Sequence, residues 1–211
     1  MERATARDRL IDSLRKRTGD DRVIDAMSRV PRELFVLPSQ AHAAWEDRAL
    51  PAGFGQTISQ PTIVAMMTQA LRLTGAEKVL EIGTGTGYQT AILAELAATV
   101  LSVERIPDLS SRARNVFDKL GYTNITLYPA GETLGRPEDS PYDAIITTAG
   151  APSIPPELVS QLVPEGRLVI PVGTRNIQEL LAVTRHASGI SIEKLGGCQF
   201  VPLIGPGAWN A

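Results

Sequence analysis

The sequence holds a single cysteine, Cys198, which excludes an intrachain disulfide and any metal cluster built on several thiolates. It holds two histidines, His42 and His186, far apart along the chain. A histidine-rich metal site is therefore not expected, and each reads as an ordinary surface or partly buried side chain. An excess of either charge is missing too: Lys+Arg number 21 against 23 Asp+Glu, a formal net charge of −2. That balance offers no electrostatic footprint for nucleic acid or an anionic membrane surface. No apolar run reaches the roughly 18 residues that a membrane helix needs. The opening MERATARDRLIDSLRKR is charged and amphipathic, without the apolar segment of an export signal. A cytoplasmic monomer is the expectation. Internal repeats and low-complexity segments are absent as well.

What is present describes an ordinary globule of 211 residues, 43% hydrophobic and 21% charged, long enough for one domain with a sizeable core. Residues 1–50 read as a helical cap. Leu10, Ile11 and Leu14 mark a first amphipathic helix, and Val23, Ile24, Met27 and Val30 mark a second that starts at Asp20 or Asp21 and is closed by Pro31. From Pro51 the chain runs PAGFGQTISQPTIVAMMTQALRL, a glycine-loosened polar loop leading into a helix with Ile63, Val64, Met67, Ala70 and Leu71 on its apolar face. Ser59 or Gln60 sits where that helix begins, with Pro61 early in it, so Ser59 reads as an N-cap.

Residues 78–172 alternate strand and helix. Strands are expected at KVLEI, Thr99–Glu104, Ile125–Tyr128, Tyr142–Thr148 and Gly166–Val172, with helices after Gly87, from Pro107 to Gly121 and around Glu157–Leu162. Glu179–Thr184 and Ile190–Leu195 read as later antiparallel strands. This pattern implies an α/β fold with a doubly wound, mainly parallel sheet and helices on both faces. Ligands in such sheets bind beyond the carboxyl ends of the strands, where Glu81, the 83–87 turn, Glu104, the 129–132 turn and the 148–152 turn should meet.

The segment KVLEIGTGTG places Gly83, Gly85 and Gly87 behind a buried strand, for close backbone approach to a ligand, with the following helix's free N–H groups pointing back at the turn. A dinucleotide fingerprint would read G-x-G-x-x-G; here the spacing is G-x-G-x-G, with an acid two positions before the first glycine. Glu104 ends the next strand, where a carboxylate accepts both hydroxyls of a ribose. Glu81 is awkward beside a pyrophosphate but suits a positively charged ligand. The pattern favours S-adenosylmethionine over a nicotinamide cofactor, leaving an oxidoreductase as the disfavoured reading and a non-catalytic binding protein as a third.

Five stretches, PAGFGQTISQPTIVA, VLEIGTGTGYQTAILAEL, YDAIITTAGAPSIPPELVSQL, GRLVIPVG and FVPLIG, resemble the protein-L-isoaspartate O-methyltransferase family over nearly the whole chain. The glycine motif is shared by many methyltransferases, whereas the TISQP loop and VPLIG tail are more specific. The resemblance implies a Rossmann-like core over residues 51–211, with a C-terminal substrate segment. It implies methyl transfer from S-adenosylmethionine to the α-carboxyl of L-isoaspartyl residues in damaged proteins or peptides, the ester collapsing to a succinimide. Ser59 is then the active-site serine. Gln56, Thr57, Ile58, Ser59, Glu81, Gly83, Thr84, Gly85, Gly87, Glu104, Arg105, Gly131 and Glu132 would surround the cofactor. Ser59, Ala149, Ala151, Val201, Pro202 and Leu203 would meet the acceptor, a peptide pairing by main-chain hydrogen bonds along Val201–Leu203. No metal is implied. One departure stands out: where the family carries a Gly-Asp-Gly turn, this chain has Ala130-Gly131-Glu132, and either Glu132 supplies the adenine-contacting acid or that contact is lost. An aspartate of one dedicated peptide is the alternative acceptor.

Overall fold

The computed structural model describes residues 5–210. Two helices open the chain, α1 (Ala6–Arg15) and α2 (Asp21–Arg29). Thr5 closes a capping box with Asp8 on the first, and the Asp20 side chain accepts from the Arg22 amide on the second. A hairpin absent from the sequence reading follows, β1 (Leu50–Gly53) and β2 (Gln56–Ile58), and then α3 (Pro61–Leu71). Its strands are too short to show periodicity. Its turn works because Gly53, Phe54 and Gly55 all take positive φ.

The main sheet has seven strands: β3 (Lys78–Ile82), β4 (Thr99–Glu104), β5 (Ile125–Pro129), β6 (Tyr142–Thr147), β7 (Leu162–Gly173), β8 (Gln178–His186) and β9 (Gly189–Cys198). Their order across the sheet is β5-β4-β3-β6-β7-β8-β9, the first five parallel and the last two antiparallel. The chain winds outward from β3 through β4 to β5, then crosses back to β6. The reversal beside β3 is the switch point, and the carboxyl ends of β3, β4 and β6 surround it.

Side chains alternate between two cores as the pleat requires. Val79, Val100, Ala144, Ile146 and Val169 face one apolar cluster, which also takes in residues of α1, α2, α3 and the helices that follow β3 and β4. Leu80, Leu101, Ile145, Leu168 and Ile170 face the other. Helices α4 (Tyr88–Ala94) and α5 (Pro107–Leu120) cover the first face, while among the described residues the second carries only the five-residue α-helix α6 (Pro156–Ser160). The two faces are thus unequally clad, and β7 begins at Leu162 where the sequence placed a helix.

Arg32 fastens the cap to helix α4. Fully buried, it donates Nε to the Ala44 carbonyl at 2.8 Å and lays its guanidinium 4.8 Å over the ring of Tyr88, the first residue of α4. Burial lowers the arginine's pKa and pushes the Tyr88 hydroxyl up to about 12, because each charged form has lost its water. Among the described residues, no helix is long and apolar enough to cross a membrane.

Candidate active site

A cavity of about 200 Å³ opens at the switch point, walled by the β2–α3 loop, the β3–α4 turn, the ends of β4 and β6, the 130–135 turn and the C-terminal segment. Of the residues expected around a cofactor, Gln56, Thr57, Ile58, Ser59, Gly83, Thr84, Gly85, Glu104, Arg105 and Gly131 line it. Ala149, Val201, Pro202 and Leu203 line it too. Glu81, Gly87, Glu132 and Ala151 do not.

The three glycines have three different jobs. A Cβ on Gly83 would run into the Thr148 hydroxyl, which donates to the Gly83 carbonyl at 2.6 Å. A Cβ on Gly87 would lie 2.7 Å from the Phe117 ring. Only Gly85 faces the cavity without such a neighbour: an added Cβ meets nothing within 4 Å. The loop amides are turned inward. Gly83 and Thr84 donate to the Val103 carbonyl, Gly85 to Glu104 Oε2 and Gly87 to the Thr84 carbonyl. These four turn amides are therefore spent within the protein, and a cradle lacking them is poorly made for a pyrophosphate.

Glu104, 8% exposed, accepts from the Gly85 amide through Oε2 and from the Ile106 amide through Oε1, each at 2.8 Å. Two backbone donors fix its plane, and each oxygen keeps lone-pair capacity for the cavity. A carboxylate so held can accept from both hydroxyls of a vicinal diol.

Glu81 stands one layer behind the wall, with no exposed surface. Its Oε2 accepts from Thr90 at 2.5 Å and Ser102 at 2.6 Å, while Oε1 has no partner among the described residues. Loss of water outweighs the two hydroxyl donors and raises its pKa to about 8. Period-2 alternation explains that placement: with Leu80 and Ile82 on one face, Glu81 points to the other, under α4. Ala151 is likewise consumed by structure, exchanging backbone hydrogen bonds with Pro171 and Gly173. In the 130–135 turn, Glu132 is exposed and Thr133 lines the cavity instead.

Ser59 lies half-buried on the wall and is not the N-cap of α3; Gln60 holds that position, without a side-chain cap bond. On the C-terminal segment, the Gly150 amide and carbonyl bond the Val201 carbonyl and the Leu203 amide, both at 2.8 Å. The edge expected to receive a peptide is therefore already occupied at those two residues. Pro202 O and Ile204 N lie on the other edge and carry no backbone bond among the described residues. Thr148, the first residue of the 148–152 turn expected at this edge, lines the cavity, and so do Phe200 and Gln89, which local sequence does not mark because each looks like a routine core residue. Both histidines lie elsewhere, His186 paired with Glu165 at 2.9 Å. Burial pushes the Cys198 thiol up to about 11, a poor nucleophile.

Similarity to known proteins spans almost the whole chain. The family model for Protein-L-isoaspartate(D-aspartate) O-methyltransferase matches residues 5–207. A protein-L-isoaspartate O-methyltransferase of Syntrophus aciditrophicus (strain SB) is 53% identical over 207 residues, covering 96% of this chain and 95% of its own. That of Methanoculleus marisnigri is 51% identical over 192 residues, covering 91% and 87%. A solved structure of a protein-L-isoaspartate O-methyltransferase superposes with a TM-score of 0.83 at 28% identity, over 94% of this chain and 66% of that one. A Plasmodium falciparum structure of that description, in complex with S-adenosyl-L-homocysteine, shares the fold at a TM-score of 0.81 and 23% identity, over 94% and 98%. By sequence and by fold, the chain belongs to the protein-L-isoaspartate(D-aspartate) O-methyltransferase family.

Proposed function

We propose that the enzyme methylates the α-carboxylate of isoaspartyl residues with Ser59 orienting the acceptor, the nucleoside of S-adenosylmethionine lying against Gly85 and Glu104. One observation carries this reading: among the described residues, the ionisable side chains on the cavity wall are Glu104, Arg105 and Tyr88 alone, with no histidine, lysine or cysteine. A methyl acceptor that must first lose a proton would want a base there. A carboxylate needs none, since its pKa of about 4 leaves it ionised at neutral pH.

The wall fits the donor. Glu104 offers its fixed carboxylate to the ribose hydroxyls, and Gly85 leaves free the space a side chain would fill. When bound, S-adenosylmethionine supplies a methyl group on a sulfonium, which departs as a neutral thioether. The protein's share is placement and exclusion of water. The Ser59 hydroxyl, without a hydrogen-bond partner among the described residues, is free to donate to one acceptor oxygen. The Val201–Leu203 backbone, braced by Gly150, shapes the C-terminal part of the wall. The released ester closes on the next backbone nitrogen, expelling methanol and leaving the succinimide.

Ser59→Ala tests the assignment. A hydrogen bond to a charged group is worth about 1.5–3 kcal/mol, so kcat/KM for an isoaspartyl peptide should fall by roughly 10–100-fold. Affinity for S-adenosylhomocysteine, measured by calorimetry, should stay within about twofold. Unchanged turnover would remove Ser59 from this role.

A further inference from the structure

A serine at the mouth of a helix has a strong local use for its hydroxyl. As an N-cap it accepts from the amide two or three residues on. For Ser59 the first of those positions is Pro61, which has no amide hydrogen, so Thr62 is the one amide it could cap. In the folded chain that amide is taken. Asp47, from the cap segment, accepts the Thr62 amide through Oδ1 at 2.9 Å and the Thr62 hydroxyl through Oδ2 at 2.6 Å. Arg17 holds the same carboxylate from behind, Nη2 to Oδ2 at 3.1 Å. Partial burial alone would raise the Asp47 pKa, but the Thr62 and Arg17 contacts outweigh it and hold the group below the usual carboxylate range. Helix α3 has no acid in its own first turn and no side-chain cap at Gln60, so this remote carboxylate does the capping.

We propose that Asp47 is a positioning residue that reserves the Ser59 hydroxyl for the methyl acceptor by occupying the backbone amide Ser59 would otherwise cap. The inference rests on the acceptor-orienting role of Ser59. Without Asp47, Ser59 turns to the Thr62 amide, the helix start winds in by one residue, and the hydroxyl leaves the cavity wall. The helical cap thereby acts on the reaction without touching cofactor or substrate.

The test uses Asp47→Ala, Asp47→Asn, Ser59→Ala and the Asp47→Ala/Ser59→Ala pair in the full chain. Steady-state methylation of an isoaspartyl peptide is read beside calorimetry with S-adenosylhomocysteine and hydrogen exchange at the Thr62 amide. Asp47→Ala should lose about tenfold in kcat with S-adenosylhomocysteine affinity within twofold of wild type, and the pair should be no slower than Ser59→Ala alone. Thr62 should stay protected in Asp47→Ala, capped by Ser59, and lose protection in the pair. Asp47→Asn, which keeps an acceptor oxygen, should retain wild-type kcat. A wild-type kcat in Asp47→Ala beside an impaired Ser59→Ala overturns the proposal, as do additive losses in the pair or equal Thr62 protection in Asp47→Ala and the pair. Normal turnover in Ser59→Ala instead overturns the Ser59 role itself, which separates the two failures. Should Asp47→Ala not fold, Asp47→Asn and Thr62→Ala carry the test: both leave an acceptor on the Thr62 amide, so both must keep wild-type kcat, and a tenfold loss in either refutes the mechanism.

Discussion

Substituting alanine at Gly85 and at Gly87 separates the binding surface of the β3–α4 turn from its scaffold. Both residues have positive φ, 53° and 89°, so alanine at either costs about 1–2 kcal/mol of backbone strain. At Gly85 nothing is added, because the new methyl meets no atom within 4 Å. At Gly87 it lies 2.7 Å from Phe117 Cζ and 3.0 Å from Ala113 Cβ, and overpacking adds about 1–3 kcal/mol. At about 2–4 °C per kcal/mol for a chain of this size, Gly85→Ala should lower Tm by roughly 2–8 °C and Gly87→Ala by roughly 4–20 °C. Affinity should run the other way. The Gly85 methyl enters open space at the cavity wall, so a clash of about 1–3 kcal/mol with the cofactor weakens S-adenosylhomocysteine roughly 5–150-fold. Gly87→Ala, measured well below its Tm, should change that affinity less than about threefold. Differential scanning fluorimetry and calorimetry on the same preparations decide the matter. Wild-type affinity in Gly85→Ala, or a Gly87→Ala protein melting no lower than Gly85→Ala, would refute the division of labour.

Two further outcomes are expected. Because Glu81 is raised from 4.5 to about 8, the folded protein keeps a proton there that the unfolded chain has lost, so its contribution to stability declines as pH rises from about 4.5 to about 8 and then levels off. Glu81→Gln removes that decline; urea unfolding at pH 5, 6.5 and 8 should show the variant gaining on wild type with pH, and a constant difference would sink the assignment. Trp209 braces the tail by donating Nε1 to the Gly150 carbonyl at 3.1 Å and stacking under Arg175 at 5.2 Å. Trp209→Phe gives up the hydrogen bond, about 1 kcal/mol, and should raise KM for the peptide several-fold while leaving S-adenosylhomocysteine affinity unaltered. Equal loosening of both ligands would mean that the tail serves general stability rather than the acceptor wall.

Much of this was already written in local sequence. Apolar periodicity located β4 at Thr99–Glu104 and α5 from Pro107, and Gly121 stops that helix at φ 78° as a left-handed cap. Strand–helix alternation set a parallel sheet and put Glu104 and the glycine turn at its carboxyl edge, because each strand of a parallel unit must point the same way. The family was legible in TISQP and VPLIG. Tertiary structure alone decided which neighbours stand behind each residue. Glu81 and Glu104 look alike in sequence, yet the pleat buries the first under α4 and the turn after β4 presents the second to the cavity. Gly83, Gly85 and Gly87 repeat one letter, but Thr148, open space and Phe117 give them different reasons to be glycine. Ser59 is freed from its helix by Asp47, a residue outside any local motif, because a hydrogen-bond donor is satisfied by whichever acceptor the fold brings within reach. Period and spacing are properties of neighbours along the chain, whereas the cavity wall is set by competition among partners across it.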